Sequence, residues 1–92
     1  MVIGSLEVRL RIREARSLKD KRQVVKSILE RLRNSFNVSA AEVDALDKYQ
    51  LAVIGIAMVS NEAYHVRTAL EQIVEVLKRH PIAEFISHDL EV

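Results

Sequence analysis

Residues 6 to 13 alternate between apolar and charged side chains without interruption, and this pattern constrains the fold more than any other feature. The segment is Leu6-Glu7-Val8-Arg9-Leu10-Arg11-Ile12-Arg13. Alternation with a period of two predicts a β-strand with one face in the core and the other turned away from it. The apolar residues should therefore contact the core, while Arg9, Arg11 and Arg13 should lie on the opposite face.

Two later segments carry the periodicity of helices. The first begins at Ser17, because a serine can accept hydrogen bonds from the free N–H groups of a helix start and Asp20 favours its positive end. Its apolar residues form one stripe of Leu18, Val25, Ile28, Leu29, Leu32 and Phe36. The second helix is capped by Ser60-Asn61-Glu62, has its apolar stripe between residues 63 and 77, and ends before Pro81.

Three more strands are predicted, at residues 38–45, 49–60 and 85–92. The alternation of the second strand slips at Ala40-Ala41, which predicts a bulge, and the third strand is apolar on both faces, as is typical of a central strand. The order strand, helix, strand, strand, helix, strand is a split βαβ pair, and right-handed crossovers place both helices on one face of the sheet. The sequence therefore predicts one ferredoxin-like α+β domain over residues 1–92, with a four-stranded antiparallel sheet centred on its first and third strands.

Composition excludes several classes of site. The chain has no cysteine, so disulfides, thiolate zinc sites and cysteine nucleophiles are absent. The N-terminus lacks the pattern of a signal peptide, and no apolar run approaches the roughly 20 residues that cross a bilayer, so we expect a cytoplasmic protein. The net charge of +1 hides an asymmetry, because residues 1–36 carry ten basic and four acidic side chains and the remainder carries four and nine.

The first helix carries a basic stripe. At 100° per residue, Lys19, Arg22, Lys26 and Arg33 fall within about 60° of one another, and Lys21 lies close to them in sequence. Such a stripe could follow the phosphates of RNA or bind another partner. A solvated helix face is the favoured alternative, since Glu30 is placed to pair with Lys26 and Arg33.

The face of the sheet turned away from the helices is the second candidate surface. Arg9, Arg11 and Arg13 should lie there beside apolar residues of the third strand. Such a mixed face could bind an RNA backbone, although RNA-binding sheets normally use exposed aromatic residues and this chain has only four, Phe36, Tyr49, Tyr64 and Phe85. The alternative is a homodimer in which two sheets pack face to face or edge to edge, and the apolar third strand favours it.

No catalytic, cofactor or metal site is predicted. Glu42, Asp44 and Asp47 lie near a hairpin and could hold a hard cation, but they lack the spacing of a calcium loop, so surface turn residues are favoured. Asp44 is unusual because it lies on a strand. The histidines have no metal-ligand spacing, and with two glycines the chain has no glycine-rich phosphate loop.

Several blocks of the chain resemble one known family. They are Ser17-Leu18-Lys19-Asp20-Lys21-Arg22, residues 31–39, residues 41–44 and residues 54–61, and together they resemble the uncharacterised bacterial YlxP-like family over essentially the whole chain. The resemblance implies a small ferredoxin-like domain and, in some bacteria, a gene among those for translation initiation and ribosome maturation. It implies no established activity and no catalytic residues. The segment 45–49 departs from the longer polar or aromatic tract of many relatives.

Two hypotheses follow. The first is a non-enzymatic binding module of translation or ribosome maturation, which contacts ribosomal RNA or a ribosome-associated protein through Lys19, Lys21, Arg22, Lys26 and Arg33, joined by Arg9, Arg11 and Arg13. The alternative is a homodimeric protein-interaction or small-molecule regulatory domain. An enzyme is the least supported reading, and no membrane partner is expected.

Overall fold

The computed structural model describes residues 1–92 and contains four strands and two helices. In chain order these are β1 (Val2–Arg11), α1 (Leu18–Ser35), β2 (Ser39–Asp44), β3 (Leu51–Ser60), α2 (Ala63–Lys78) and β4 (Glu84–Glu91). The strands form one sheet in the order β2-β3-β1-β4, and every neighbouring pair is antiparallel. The predicted ferredoxin-like arrangement, with the first and third strands in the centre, is confirmed.

Strand β1 starts earlier and ends earlier than the alternation alone indicates. Val2 already pairs with Ser60, and the strand ends at Arg11. Ile12 remains in the core at 1% exposure, and its N–H donates to the carbonyl of Gln50, whereas Arg13 lies in the turn that follows. The prediction that the strand extends to Arg13 is therefore wrong by two residues.

The start of α1 is fixed by two side chains, as predicted. Ser17 Oγ accepts a hydrogen bond from the N–H of Asp20 at 3.1 Å, and Asp20 Oδ2 accepts one from the N–H of Arg16 at 3.0 Å. This reciprocal pair satisfies N–H groups that no helical carbonyl can reach. In contrast, the predicted side-chain cap of α2 is not formed, because Glu62 occupies the N-cap position without a side-chain hydrogen bond.

The core lies between the sheet and the two helices. Alternate residues of the central strands point into it, and they are Leu6, Val8 and Leu10 of β1 with Ala52, Ile54, Ile56 and Met58 of β3. Helix α1 contributes Val25, Ile28 and Leu32, and α2 contributes Val66, Leu70, Ile73 and Leu77. Helix α2 packs so closely on β1 that a Cβ added at Gly4 would lie 2.2 Å from Val66 Cγ1. Only a glycine fits this contact.

The β2–β3 connection contains two departures from ideal geometry. The register of β2 against β3 shifts between Glu42 and Asp44, so the bulge predicted at Ala40-Ala41 lies nearer the turn. Ala45 then adopts a left-handed conformation with φ of 55°. Its N–H donates to Asp44 Oδ1 at 2.7 Å, and its carbonyl accepts from the N–H of Lys48 at 3.0 Å.

Candidate functional site

The exposed flank of α1 keeps most of the predicted basic stripe. We define the helix-one surface as Lys19, Arg22, Lys26 and Arg33. All four residues are exposed, and none of the ion pairs in the structure involves any of them. The anticipated pairing of Glu30 with Lys26 and Arg33 is also absent from those ion pairs. The positive charge of this surface is therefore not neutralised by neighbouring carboxylates.

Arg33 differs from the other three because part of its guanidinium is already used. Its Nη2 donates to the carbonyl of Ala40 on β2, which is an edge strand of the sheet. Edge carbonyls without partners invite pairing with another chain, so this contact protects the edge. A guanidinium has five N–H donors, which leaves Arg33 able to contact a phosphate as well.

The prediction that Lys21 contributes to the binding surface is wrong. Its side chain is fully buried, with Nζ 2.7 Å from Glu42 Oε2, and it donates hydrogen bonds to the carbonyls of Ala45 at 2.9 Å and Leu51 at 3.2 Å. An ammonium without access to solvent cannot contact RNA. The signal was present in the sequence, because Lys21 lies three residues after Leu18 and four before Val25, inside the apolar stripe of α1.

The acidic residues of the hairpin do not form one cluster. Glu42 points toward α1, where its carboxylate is 13% exposed and compensates the charge of Lys21. Glu42 Oε2 accepts no aligned hydrogen bond, so its interaction with Lys21 is an ion pair. Asp44 instead caps its own turn through the N–H of Ala45. Asp44 is therefore a turn residue, and Glu42, expected at the surface, belongs to a buried polar cluster.

Arg9 and Arg11 of β1 lie on the face of the sheet opposite the helices, but acidic partners hold two of the three predicted arginines, Arg9 and Arg13. Arg9 donates to Ser87 Oγ at 2.7 Å, Asp89 Oδ2 at 2.7 Å and Glu7 Oε1 at 2.9 Å. The hydrogen bond to Asp89, followed by the charges of Asp89 and Glu7, raises the pKa of the Arg9 guanidinium. The positive charge of Arg9 is thus matched by carboxylates of its own sheet.

Arg13 is paired in the same way. Its Nε donates to Glu84 Oε2 at 2.7 Å, and this hydrogen bond raises the pKa of Arg13 and lowers the pKa of Glu84. Arg11 is exposed and forms no ion pair within 4 Å, although its charge also contributes to the lowered pKa of Glu84. Of Arg9, Arg11 and Arg13, only Arg11 forms no ion pair, although it lies opposite Glu84 in the β1–β4 ladder.

The rest of this face is largely apolar, as the two-sided pattern of the third strand predicts. We define the open sheet face as the side of the sheet away from the helices. Ile3, Val43 and Val59 are 59%, 52% and 53% exposed there. A shallow groove of about 760 Å³ crosses the face, and small residues line much of it: Ser5, Ser39, Ala41, Gly55 and Ala57. Glu7, Asp89 and Glu91 lie along its β4 side.

His80 is a structural residue at the end of α2. Its Nδ1 accepts hydrogen bonds from the N–H groups of Ile82 at 3.1 Å and Ala83 at 3.0 Å. Burial, followed by the nearby charge of Arg31, lowers the pKa of His80. The neutral ring therefore shapes the loop that leads into β4.

Comparison with known proteins gives a consistent result. The family described as "Protein of unknown function (DUF503)" matches residues 3–90. The uncharacterized protein YlxP of Bacillus subtilis (strain 168) is 37% identical over 83 residues, which cover 90% of each chain. Neither helix of the structure is both long and apolar enough to cross a membrane. With a match over nearly its whole length, the chain belongs to the DUF503 family, to which the resemblance to YlxP-like proteins pointed.

Proposed function

We propose that this protein is a non-enzymatic binding module that docks on structured RNA of the translation machinery through the helix-one surface. One observation carries the proposal: Lys19, Arg22 and Lys26 are exposed, lie on one flank of one helix, and have no carboxylate partner. Uncompensated cations attract phosphates and release condensed counterions when they bind. The gene neighbourhood implied by the family resemblance supports ribosome maturation, in the cytoplasm, as the setting of this proposed role.

The length of the surface favours a phosphate backbone as its ligand. Lys19 and Arg33 are 14 residues apart, which corresponds to about 21 Å along a helix. That distance allows contacts with three or four phosphates of one RNA segment. Helix α1 contains no aromatic residue, so it lacks the aromatic platform on which single-stranded bases usually stack. A double-stranded RNA, which is recognised by shape and backbone, therefore fits better than a single strand.

The test is binding of the purified protein to ribosomal subunits and to an RNA duplex over a salt series. A variant with Lys19→Glu, Arg22→Glu and Lys26→Glu should lose more than about tenfold in affinity, and its salt dependence should largely disappear. The matched control is Lys48→Glu, Arg67→Glu and Arg79→Glu, which changes the net charge equally at exposed positions elsewhere. Equal losses of affinity in both variants would show that net charge, and not the helix-one surface, determines binding. No binding by the unmodified protein would refute the proposal.

A second candidate function is that of a homodimeric protein-interaction domain. The supporting observation is the open sheet face, on which Ile3, Val43 and Val59 are more than half exposed. Exposed apolar patches of this kind mark sites of association in many proteins. Light scattering over a concentration series measures the mass directly, and a strict monomer at the highest attainable concentration would refute this candidate.

A further inference from the structure

We propose that a second copy of this chain covers the open sheet face in an antiparallel, two-fold arrangement that places Arg11 of each copy against Glu91 of the other. The proposal rests on the second candidate function and specifies the interface that would carry it. It follows from two features of the face, the separation of its apolar and charged halves and the positions of two charged residues that form no ion pair, and from the state of the two sheet edges.

The open sheet face is divided across the strands. Its β2–β3 half is apolar, with Val43 and Val59 exposed, whereas its β1–β4 half carries the charged residues, including Glu7, Arg9 and Asp89, together with one exposed apolar residue, Ile3. A two-fold axis parallel to the strands would lay β3 of one copy over β1 of the other and bury charges against apolar groups, which is costly. An axis across the strands lays each strand over its own copy. Only the second arrangement buries apolar surface on apolar surface.

The charges along the face fix where that axis passes. Glu91 pairs with Ser5 in the β1–β4 ladder, six residues from Arg11, which corresponds to about 20 Å. Neither Arg11 nor Glu91 forms an ion pair within its own chain. An axis at Val8, halfway between these positions, brings Arg11 of one copy to Glu91 of the other twice. The face is thus complementary in charge to itself.

Side-chain size along β3 agrees with the same axis. Leu51 lies opposite Arg11 in the ladder, and Ala57 lies opposite Ser5. A two-fold axis at Val8 therefore sets Leu51 of one copy over Ala57 of the other. Ala57 belongs to the part of the groove lined by small residues, which leaves space for a larger side chain from the partner. Large residues over small ones allow two surfaces to interlock.

Both edges of the sheet are poor alternatives for self-association. On the β2 edge, the Ala40 carbonyl already accepts from Arg33, and the strand is only six residues long with a register shift. On the β4 edge, Glu84, Asp89 and Glu91 occur without any lysine or arginine. A second β4 beside this edge would bring carboxylates together, which is unfavourable.

The test is a charge swap measured by light scattering and analytical ultracentrifugation, without RNA. Arg11→Glu and Glu91→Arg alone should each weaken dimerisation more than about tenfold, because like charges then face each other. The double variant Arg11→Glu, Glu91→Arg should restore it. Both positions are exposed, and circular dichroism checks that every variant is folded.

Two further variants locate the interface. Ala57→Arg, on the groove floor, should give monomers, whereas Ile86→Lys, an exposed position on the β4 edge, should leave the dimer intact. A monomeric unmodified protein would refute the second candidate function together with this proposal. A dimer broken by Ile86→Lys and not by Ala57→Arg would refute the open sheet face as the interface, while the homodimer itself would stand. A dimer broken by Ala57→Arg that is not rescued by the charge swap would refute the antiparallel pairing.

Discussion

Strand β1 and helix α1 each present basic side chains at regular spacing, yet the surroundings of those side chains differ. On β1, Arg9 is bound by Glu7, Ser87 and Asp89. On α1, Lys19 and Arg22 have no acidic neighbour within 4 Å. Because strand neighbours are set by the ladder, β1 meets the acidic β4, whereas the outer flank of α1 faces solvent. Residue counts alone would rank the two surfaces equally, and only the contacts separate them.

The largest contrast is expected between two lysines of the same helix. Lys21→Met should lower the free energy of unfolding by about 3–5 kcal/mol, because it leaves the carboxylate of Glu42 buried without its partner. Lys19→Met should change that free energy by less than about 0.5 kcal/mol, since the side chain is exposed. Urea unfolding followed by circular dichroism measures both. Similar losses in the two variants would contradict the buried ion pair.

The next contrast is between unpaired and ion-paired basic residues in RNA binding. Neutralising Lys19 and Arg22 with glutamine should reduce the slope of log affinity against log salt by about 2, because two phosphate contacts are lost. Neutralising Arg9 and Arg13 with glutamine should leave the slope unchanged, since their charges are already paired. Filter binding with an RNA duplex gives both slopes. A larger effect from the Arg9 and Arg13 substitutions would move the binding surface to the sheet.

A smaller effect is expected at His80, whose pKa is lowered by burial and by the charge of Arg31 on α1. Because the pKa of His80 is lowered in the folded state, the unfolded chain binds a proton more readily. The free energy of unfolding should therefore fall as the pH decreases from about 7.5 through the unfolded value near 6.5. His80→Gln should reduce this pH dependence and cost about 1 kcal/mol through weakened hydrogen bonds. An unchanged pH profile, measured by urea unfolding, would contradict the assignment.

The smallest expected effect is a gain of stability in the turn that Lys21 holds. Ala45 has φ of 55°, a conformation that is strained for alanine and natural for glycine. Ala45→Gly should raise the free energy of unfolding by about 0.5–1 kcal/mol, while the backbone carbonyl that accepts from Lys21 is kept. The same substitution at the exposed helical Ala63 is the control and should be destabilising. Thermal unfolding of the two variants measures both changes, and a loss of stability in Ala45→Gly would contradict the prediction.

The fold was predictable because its signals are local. The alternation around Leu6 to Ile12, the cap at Ser17 and the two helical stripes depend on residues close in sequence, and they predict the element order and the central strands. The bulge in β2 and the uncapped start of α2 were misjudged, because both depend on packing against neighbouring elements. Strand ends moved by up to four residues for the same reason.

Whether each basic side chain is buried, ion-paired or free could not be predicted to the same extent. The partners of Arg9 and Arg13 include Asp89 and Glu84, which lie 80 and 71 residues away and become neighbours only through the β1–β4 register. Arg33 reaches a carbonyl on β2 that no side-chain pattern reveals. Lys21 is the exception, because its place inside the apolar stripe indicates burial and its residue type obscured that indication.

The buried ammonium of Lys21 also bears on how the chain selects one packing arrangement. It reaches acceptors 24 and 30 residues later in the chain, so hydrogen bonds offset the cost of its dehydration only when α1 is docked correctly on the hairpin. A helix docked one turn out of place would bury the same charge with no acceptor, at a cost of several kcal/mol. An apolar Lys21→Met, Glu42→Leu pair would lack this selection. If the NMR amide resonances of that variant remain sharp, with one signal per residue, the variant still adopts a single packing arrangement and Lys21 is not what selects it. Helix α1 is therefore held in one position on the sheet, so the cations on its outer flank keep a fixed orientation relative to the rest of the protein before any ligand arrives.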